Sequence, residues 1–207
     1  MLETLLSMDP ATIVAFMGAG ILLNLTPGAD VLFTSASGLA GGPRAGIAAA
    51  AGISLGSLAH TVLAALGLSA LIAANPLAYD AIRWLGAGYL AFLAIRTWRA
   101  PPVTAGKRPA TTLSTALKRG LLTNILNPKV ALFILAFLPQ FTTPTVGPIW
   151  HQILILGILF ASVGMVVTSA YGIAAGTLSR ALTRVSGTLN KITAVIFGGL
   201  AARLIWE

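Results

Sequence analysis

The chain has 207 residues, of which 57% are hydrophobic and only 9% charged, with 22 glycines, no cysteine and a net charge of +8. A soluble fold of this length needs roughly 25% charged residues for its shell, so a mean hydropathy of +0.90 leaves an integral membrane protein. The continuous apolar run Ile153–Phe160 excludes an alternating membrane β-barrel. Basic residues that flank apolar runs, rather than forming a patch on a soluble module, argue against nucleic acid.

Six spans fit the charge-poor windows, each able to cross roughly 30 Å of hydrocarbon with about 20 residues. Residues 1–10 carry Glu3 and Asp9 but no Lys or Arg, so they lack the basic start of a cleavable signal. The first span is expected over Ala11–Ala40 and is interrupted by Thr26-Pro27-Gly28, with Asp30 its only charge. Gly38-Leu39-Ala40-Gly41-Gly42 reads as a flexible turn without a preceding strand. The second span, Ala45–Ala74, carries Gly52, Gly56 and His60 four residues apart. That stripe predicts a small-residue face packed on another helix, with His60 away from lipid. The third span is Leu77–Trp98, with Arg83 and Arg96 near its ends. A linker over residues 100–116 carries Pro101, Pro102, Gly106 and Pro109. The fourth span, Leu117–Phe141, is interrupted at Asn127-Pro128 and holds Lys129, the chain's only intramembrane base. The fifth and sixth spans are Ile149–Leu178 and Lys191–Ile205.

Ten of the 13 Lys and Arg fall on one side: Arg44, Arg96, Arg99, Lys107, Arg108, Lys118, Arg119, Arg180, Arg184 and Lys191. The positive-inside rule then puts the 96–119 loop in the cytoplasm and both termini in the periplasm. Pro27 and Pro128 are 101 residues apart, and the same shift superimposes the second and third spans on the fifth and sixth. The expected fold is therefore an all-α integral membrane protein. Two inverted three-helix repeats, residues 1–99 and 117–207, have Pro-broken first and fourth helices. Paired interruptions at matched positions point to a transporter binding site.

A proline inside a helix frees carbonyls that must find partners in protein or face a water-filled cavity. The half-helix that follows aims free N–H groups and a partial positive charge at that cavity. Asn24, Pro27, Gly28, Asp30, Asn127, Pro128 and Lys129 are the candidate substrate-binding residues. Asp30 and Lys129 would each cost roughly 2.5–3.5 kcal/mol at a helix centre, so each needs a partner. The expectation is that they pair when the site is empty. A zwitterion would then direct its amine to Asp30 and its carboxylate to Lys129. A permanent ion pair that only locks the halves together is the plain alternative. His60 is a candidate proton carrier beside Asp30, or a hydrogen-bonded packing residue. Gln140 reads as interfacial. No metal cluster, nucleophile triad or phosphate loop is present, which leaves no cofactor to expect.

The residues Asn24-Leu25-Thr26-Pro27-Gly28-Ala29-Asp30, then Gly38, Gly52, Gly56, His60 and Gly67-Leu68, resemble the first-half signature of the LysE/RhtB amino-acid exporters. Asn124-Ile125-Leu126-Asn127-Pro128-Lys129-Val130-Ala131-Leu132-Phe133, followed by Phe137-Leu138-Pro139-Gln140-Phe141, resembles the second. The resemblance covers nearly the whole chain. One position departs from it: Ala29 stands where the family usually has a second Pro. The resemblance implies a bacterial inner-membrane exporter of amino acids or close derivatives. It also implies a proton-driven antiport and allows a homodimer. Small neutral cargo is favoured over basic cargo by the single intramembrane acid. An ion or water channel on the same inverted repeat is the alternative, and an enzyme is not expected.

Overall fold

A computed structural model describes residues 1–74 and 112–206, with scattered positions between 84 and 99. Most of the third predicted span and of the linker lies outside the described residues. All the candidate site residues lie inside them.

A short helix, α1 (Leu2–Ser7), precedes α2 (Pro10–Leu25). Asp9 caps α2 through its side chain, which accepts from the Ala11 N–H at 3.0 Å, and Pro10 fills the first turn, where its missing donor costs nothing. The helix ends at Leu25 because the residue before a proline avoids helical angles. Thr26 is extended (φ −68°, ψ 123°). Helix α3 restarts at Ala29 and runs to Ala74.

Its 46 residues would measure about 69 Å if straight, twice a bilayer core. The helix breaks at Gly42 (φ 76°, ψ −179°), next to Pro43, into two arms. The positive φ requires glycine, and proline starts the second arm. The predicted turn is therefore confined to Gly42. Gly38 lies in the helix, where a Cβ would strike the backbone of Gly172; it is a packing glycine and not a flexible one.

Helix α4 (Leu113–Ile125) is capped by Thr112, and α5 (Pro128–Leu132) follows after the extended Asn127. The chain then widens into a π-helical turn over Phe133–Phe137 and tightens to a 3-10 turn over Leu138–Phe141. Pro139 accounts for the widening: in α geometry its ring would clash with the Leu135 carbonyl. The segments Leu113–Ile125 and Pro128–Phe141 meet at 52°. Helix α6 (Ile149–Trp206) completes the chain, and its apolar stretch is Ile149–Ala175.

Among the described residues two helical stretches are long and apolar enough to cross a membrane, or three if the bent α4–α5 pair is one crossing. Every described element is helical. Aromatic rings hold the two halves together. Phe133 of the π turn lies 5.8 Å from Phe16 of α2 and 5.0 Å from Phe160 of α6. Phe141 closes the cluster 5.4 Å from Phe16. This core fixes α5 and its Lys129 against the broken end of α2.

Candidate functional site

The interrupted helix α2 leaves carbonyls that lipid cannot satisfy. Each described partner can be named. The Leu22 carbonyl accepts from the Thr26 N–H at 3.0 Å and from its hydroxyl at 2.6 Å. The Lys129 ammonium donates to the Leu23 carbonyl at 2.7 Å and to the Thr26 carbonyl at 3.1 Å. The Tyr171 hydroxyl donates to the Leu25 carbonyl at 2.9 Å. Two side chains from the second half thus complete a helix end in the first.

The second break is closed more locally. The Asn127 side chain accepts from the Lys129 N–H at 3.1 Å and caps α5. That cap places Lys129 in the first turn of α5, with its side chain directed back to α2.

The two intramembrane charges therefore make no direct ion pair, although each lies within the field of the other. Lys129 lies on the negative pole of α2, among its free carbonyls, and Asp30 lies in the first turn of α3, at the positive pole. Helix ends carry roughly half a unit charge each, so the breaks themselves supply the counter-charges. The expected ion pair fails for that reason: Lys129 is held by the acceptors that Pro27 liberates, nearer to it than the carboxylate.

Asp30 is held from a different helix. Asn124 of α4 donates its side-chain amide to Asp30 Oδ2 at 2.9 Å. The Asn124 Oδ1 accepts from the Ser57 hydroxyl at 3.3 Å, and the His60 Nε2 lies 3.2 Å from the Asn124 backbone carbonyl. The other carboxylate oxygen, Oδ1, is buried and, among the described residues, lacks a hydrogen bond of good geometry, although the Asn127 side chain approaches the same carboxyl. His60 thus makes no direct hydrogen bond to Asp30 among the described residues; Asn124 stands between them, and His60 acts on the carboxylate through its field.

The predicted glycine stripe is what admits Asn124. At Gly52 a Cβ would strike the backbone of Leu117 and Leu121, and at Gly56 it would lie 2.7 Å from the Asn124 Cβ and Oδ1. Gly56→Ala gains up to about 1 kcal/mol of helix propensity but overpacks the contact at a cost of about 1–3 kcal/mol. The variant should lose thermal stability in detergent and lose transport with it. A variant as active and as stable as the parent would show that Asn124 need not sit where it does.

Leu23, Asn24, Thr26, Gly28, Asp30, Val31, Asn127, Lys129, Val130 and Thr168 line a narrow cavity of about 10 Å³, room for about one water. Of the expected site residues, Asn24, Gly28, Asp30, Asn127 and Lys129 line it. Pro27 and Pro128 do not; they make the breaks that open it. Asn24 donates to the Gly20 carbonyl at 2.9 Å, which leaves its Oδ1 toward the Gly164 backbone. His60 stands outside the wall, and Gln140 donates to the Ala136 carbonyl at 2.6 Å, away from the site. Asn124, Tyr171 and Thr168 were not expected there. For Tyr171 a signal exists: a phenol in the middle of an apolar span needs an internal acceptor.

The family model described as LysE type translocator matches residues 21–207. The chain belongs to this family. It is a translocator and not an enzyme. The homoserine/homoserine lactone efflux protein of Salmonella typhimurium is 36% identical over 159 residues, which cover 76% of this chain and 77% of the relative. The leucine efflux protein of Klebsiella pneumoniae is 30% identical, covering 91% of this chain and 92% of its own. An uncharacterized membrane protein of Vibrio cholerae is 32% identical and covers 93% and 95%. No solved structure matches this chain.

Proposed function

We propose that this LysE-type translocator exports amino acids or close derivatives across the bacterial inner membrane by alternating access, in exchange for protons. Small neutral cargo is favoured over basic cargo. The observation that carries this reading is the buried Oδ1 of Asp30, left without a well-formed hydrogen bond among the described residues, in a cavity shared with Lys129. An ammonium group satisfies that oxygen. Lys129 has three donors, of which two are given to carbonyls, and the third is available to a carboxylate. With one acid in the site, a second cationic group on the cargo has no counterpart. The efflux of homoserine and of leucine named for two relatives is in keeping with neutral cargo.

A cavity of about 10 Å³ is too small for any amino acid, so transport requires the halves to part. The breaks at Pro27 and Pro128 are the natural pivots. Asp30 would alternate between substrate ammonium and proton, with His60 as a second proton carrier on the neighbouring arm of α3. Helices of 46 and 58 residues, each too long for a single crossing of about 20 residues, are in keeping with six spans arranged as an inverted repeat of residues 1–99 and 117–207.

The test is uptake of labelled amino acids by inverted vesicles with and without a proton gradient. Homoserine, threonine or leucine should accumulate, saturably and with the gradient, well above lysine. Conductance far beyond transporter turnover, with no counterflow, would instead indicate a channel. Orientation can be read in the same cells, since there is no native cysteine. A Cys at Lys107 should be shielded from impermeant reagents, and one at the exposed Thr143 should react.

A further inference from the structure

Away from the central site, a second and larger cavity of about 300 Å³ opens between the segment ending at Arg99 and the later part of α6. Its walls are Ala94, Ile95, Trp98, Arg99, Ala194 and Val195. Four of the six are aliphatic, and Ile95 and Val195 are 56% and 65% exposed, so the groove faces outward from the protein. In a membrane protein that surface faces lipid. At one end of the groove the character changes: Arg99 forms the wall, and the Lys191 ammonium stands 5.8 Å from the centre of the Trp98 ring. Trp and basic residues in this combination mark the headgroup level of a bilayer.

Among the described residues no acidic side chain pairs with this charge. The chain's only acids after Asp30 are Asp80 and Glu207, 19 residues from Arg99 and 16 from Lys191 along the sequence. Nothing acidic lies between them, although Arg96, Lys107, Arg108, Lys118 and Arg119 add to the same side. Two cations above an apolar slot require a ligand with a negative head and a long hydrocarbon tail. We infer that this groove is a binding site for an anionic phospholipid, its phosphate held by Arg99 and Lys191 and an acyl chain lying along Ile95, Ala194 and Val195. Trp98 separates the two regions, its ring under the Lys191 ammonium and its edge at the headgroup boundary. Basic pockets between transmembrane helices bind such lipids by the same combination. The groove shares no lining residue with the central cavity.

The full chain in detergent, titrated with phosphatidylglycerol or with phosphatidylcholine of identical acyl chains, tests the assignment by native mass spectrometry and thermal unfolding. Phosphatidylglycerol should be retained, and should raise the melting temperature saturably, in preference to phosphatidylcholine. Each basic residue near an anionic headgroup is worth about fivefold in binding. Arg99→Gln with Lys191→Gln together should therefore lower the preference about 25-fold. Val195→Trp, which fills the groove but keeps both charges, should displace the lipid as well. Equal binding of the two lipids would overturn the proposal, as would a preference that survives the double substitution or the filled groove. So would a disulfide between copies carrying Ile95→Cys, which would give the groove to a second copy of the chain.

Discussion

Asp30→Asn is expected to reduce proton-driven uptake in inverted vesicles to background while the protein still inserts and folds. The substitution keeps the side chain's size and an oxygen that can accept from the Asn124 amide, now 2.9 Å from Oδ2, so packing is conserved. It removes the negative charge and with it the oxygen left without a well-formed hydrogen bond among the described residues. A hydrogen bond to a charged group contributes about 1.5–3 kcal/mol, which sets an affinity loss of roughly 10- to 150-fold for a cargo ammonium. The coupling loss is larger, because an amide cannot carry a proton from one face to the other. Residual exchange at saturating substrate should no longer respond to pH. Melting temperature should stay close to the parent's, or rise, since a charge beside apolar surroundings is removed. Gradient-driven transport in Asp30→Asn at the parent's rate would reject Asp30 as the coupling group, whatever its affinity for cargo.

Which parts of this site are legible in the sequence follows from how local their causes are. Pro27 and Pro128 act on their own backbone neighbours, so both breaks can be placed to within two residues before any packing is known. The Gly52-Gly56-His60 stripe is nearly as local, because four-residue spacing puts all three on one helix face, and α4 packs there as expected. The identity of the residue received is not local. Nothing in Leu113–Ile125 singles out Asn124 over the neighbouring Thr123, and only the close approach at Gly56 shows that Asn124 holds the carboxylate. The partners of Lys129 escape the sequence for a related reason. A count of charges sees one acid and one base and pairs them, whereas the carbonyls of Leu23 and Thr26 become acceptors only because α2 ends where it does. Tyr171 belongs to the same class, since its partner, the Leu25 carbonyl, lies 146 residues away.

Lys129 offers the sharper test of that geometry. Lys129→Met keeps an unbranched side chain, one atom shorter, and removes the ammonium, leaving the Leu23 and Thr26 carbonyls without that donor at a buried helix end. An acceptor stranded in this way costs about 1–3 kcal/mol. Hydrogen bonds between helices in membranes average nearer 0.6 kcal/mol, because the unfolded helices also find partners. A loss of about 1–3 kcal/mol in total is therefore expected, read as a lower midpoint in mixed-micelle unfolding, together with loss of transport. Lys129→Arg should not restore activity. The guanidinium is wider and planar, and the cavity beside it has only about 10 Å³, with Gly28 facing the ammonium. The decisive comparison is the double variant Asp30→Asn with Lys129→Met. If the two charges stabilised each other, removing both would cost less than removing Lys129 alone, because neither would be left unpaired. The two charges line one cavity and lie within each other's field, so some coupling is expected. It should stay near the low end of the roughly 0.5–3 kcal/mol range for neighbouring groups, because Lys129 donates to α2 and Asp30 accepts from Asn124. A coupling of about 3 kcal/mol or more, the size expected of a broken buried pair, would restore the ion pair. A small coupling would leave each charge to the helix end that holds it, and so leave the Asp30 oxygen open to cargo.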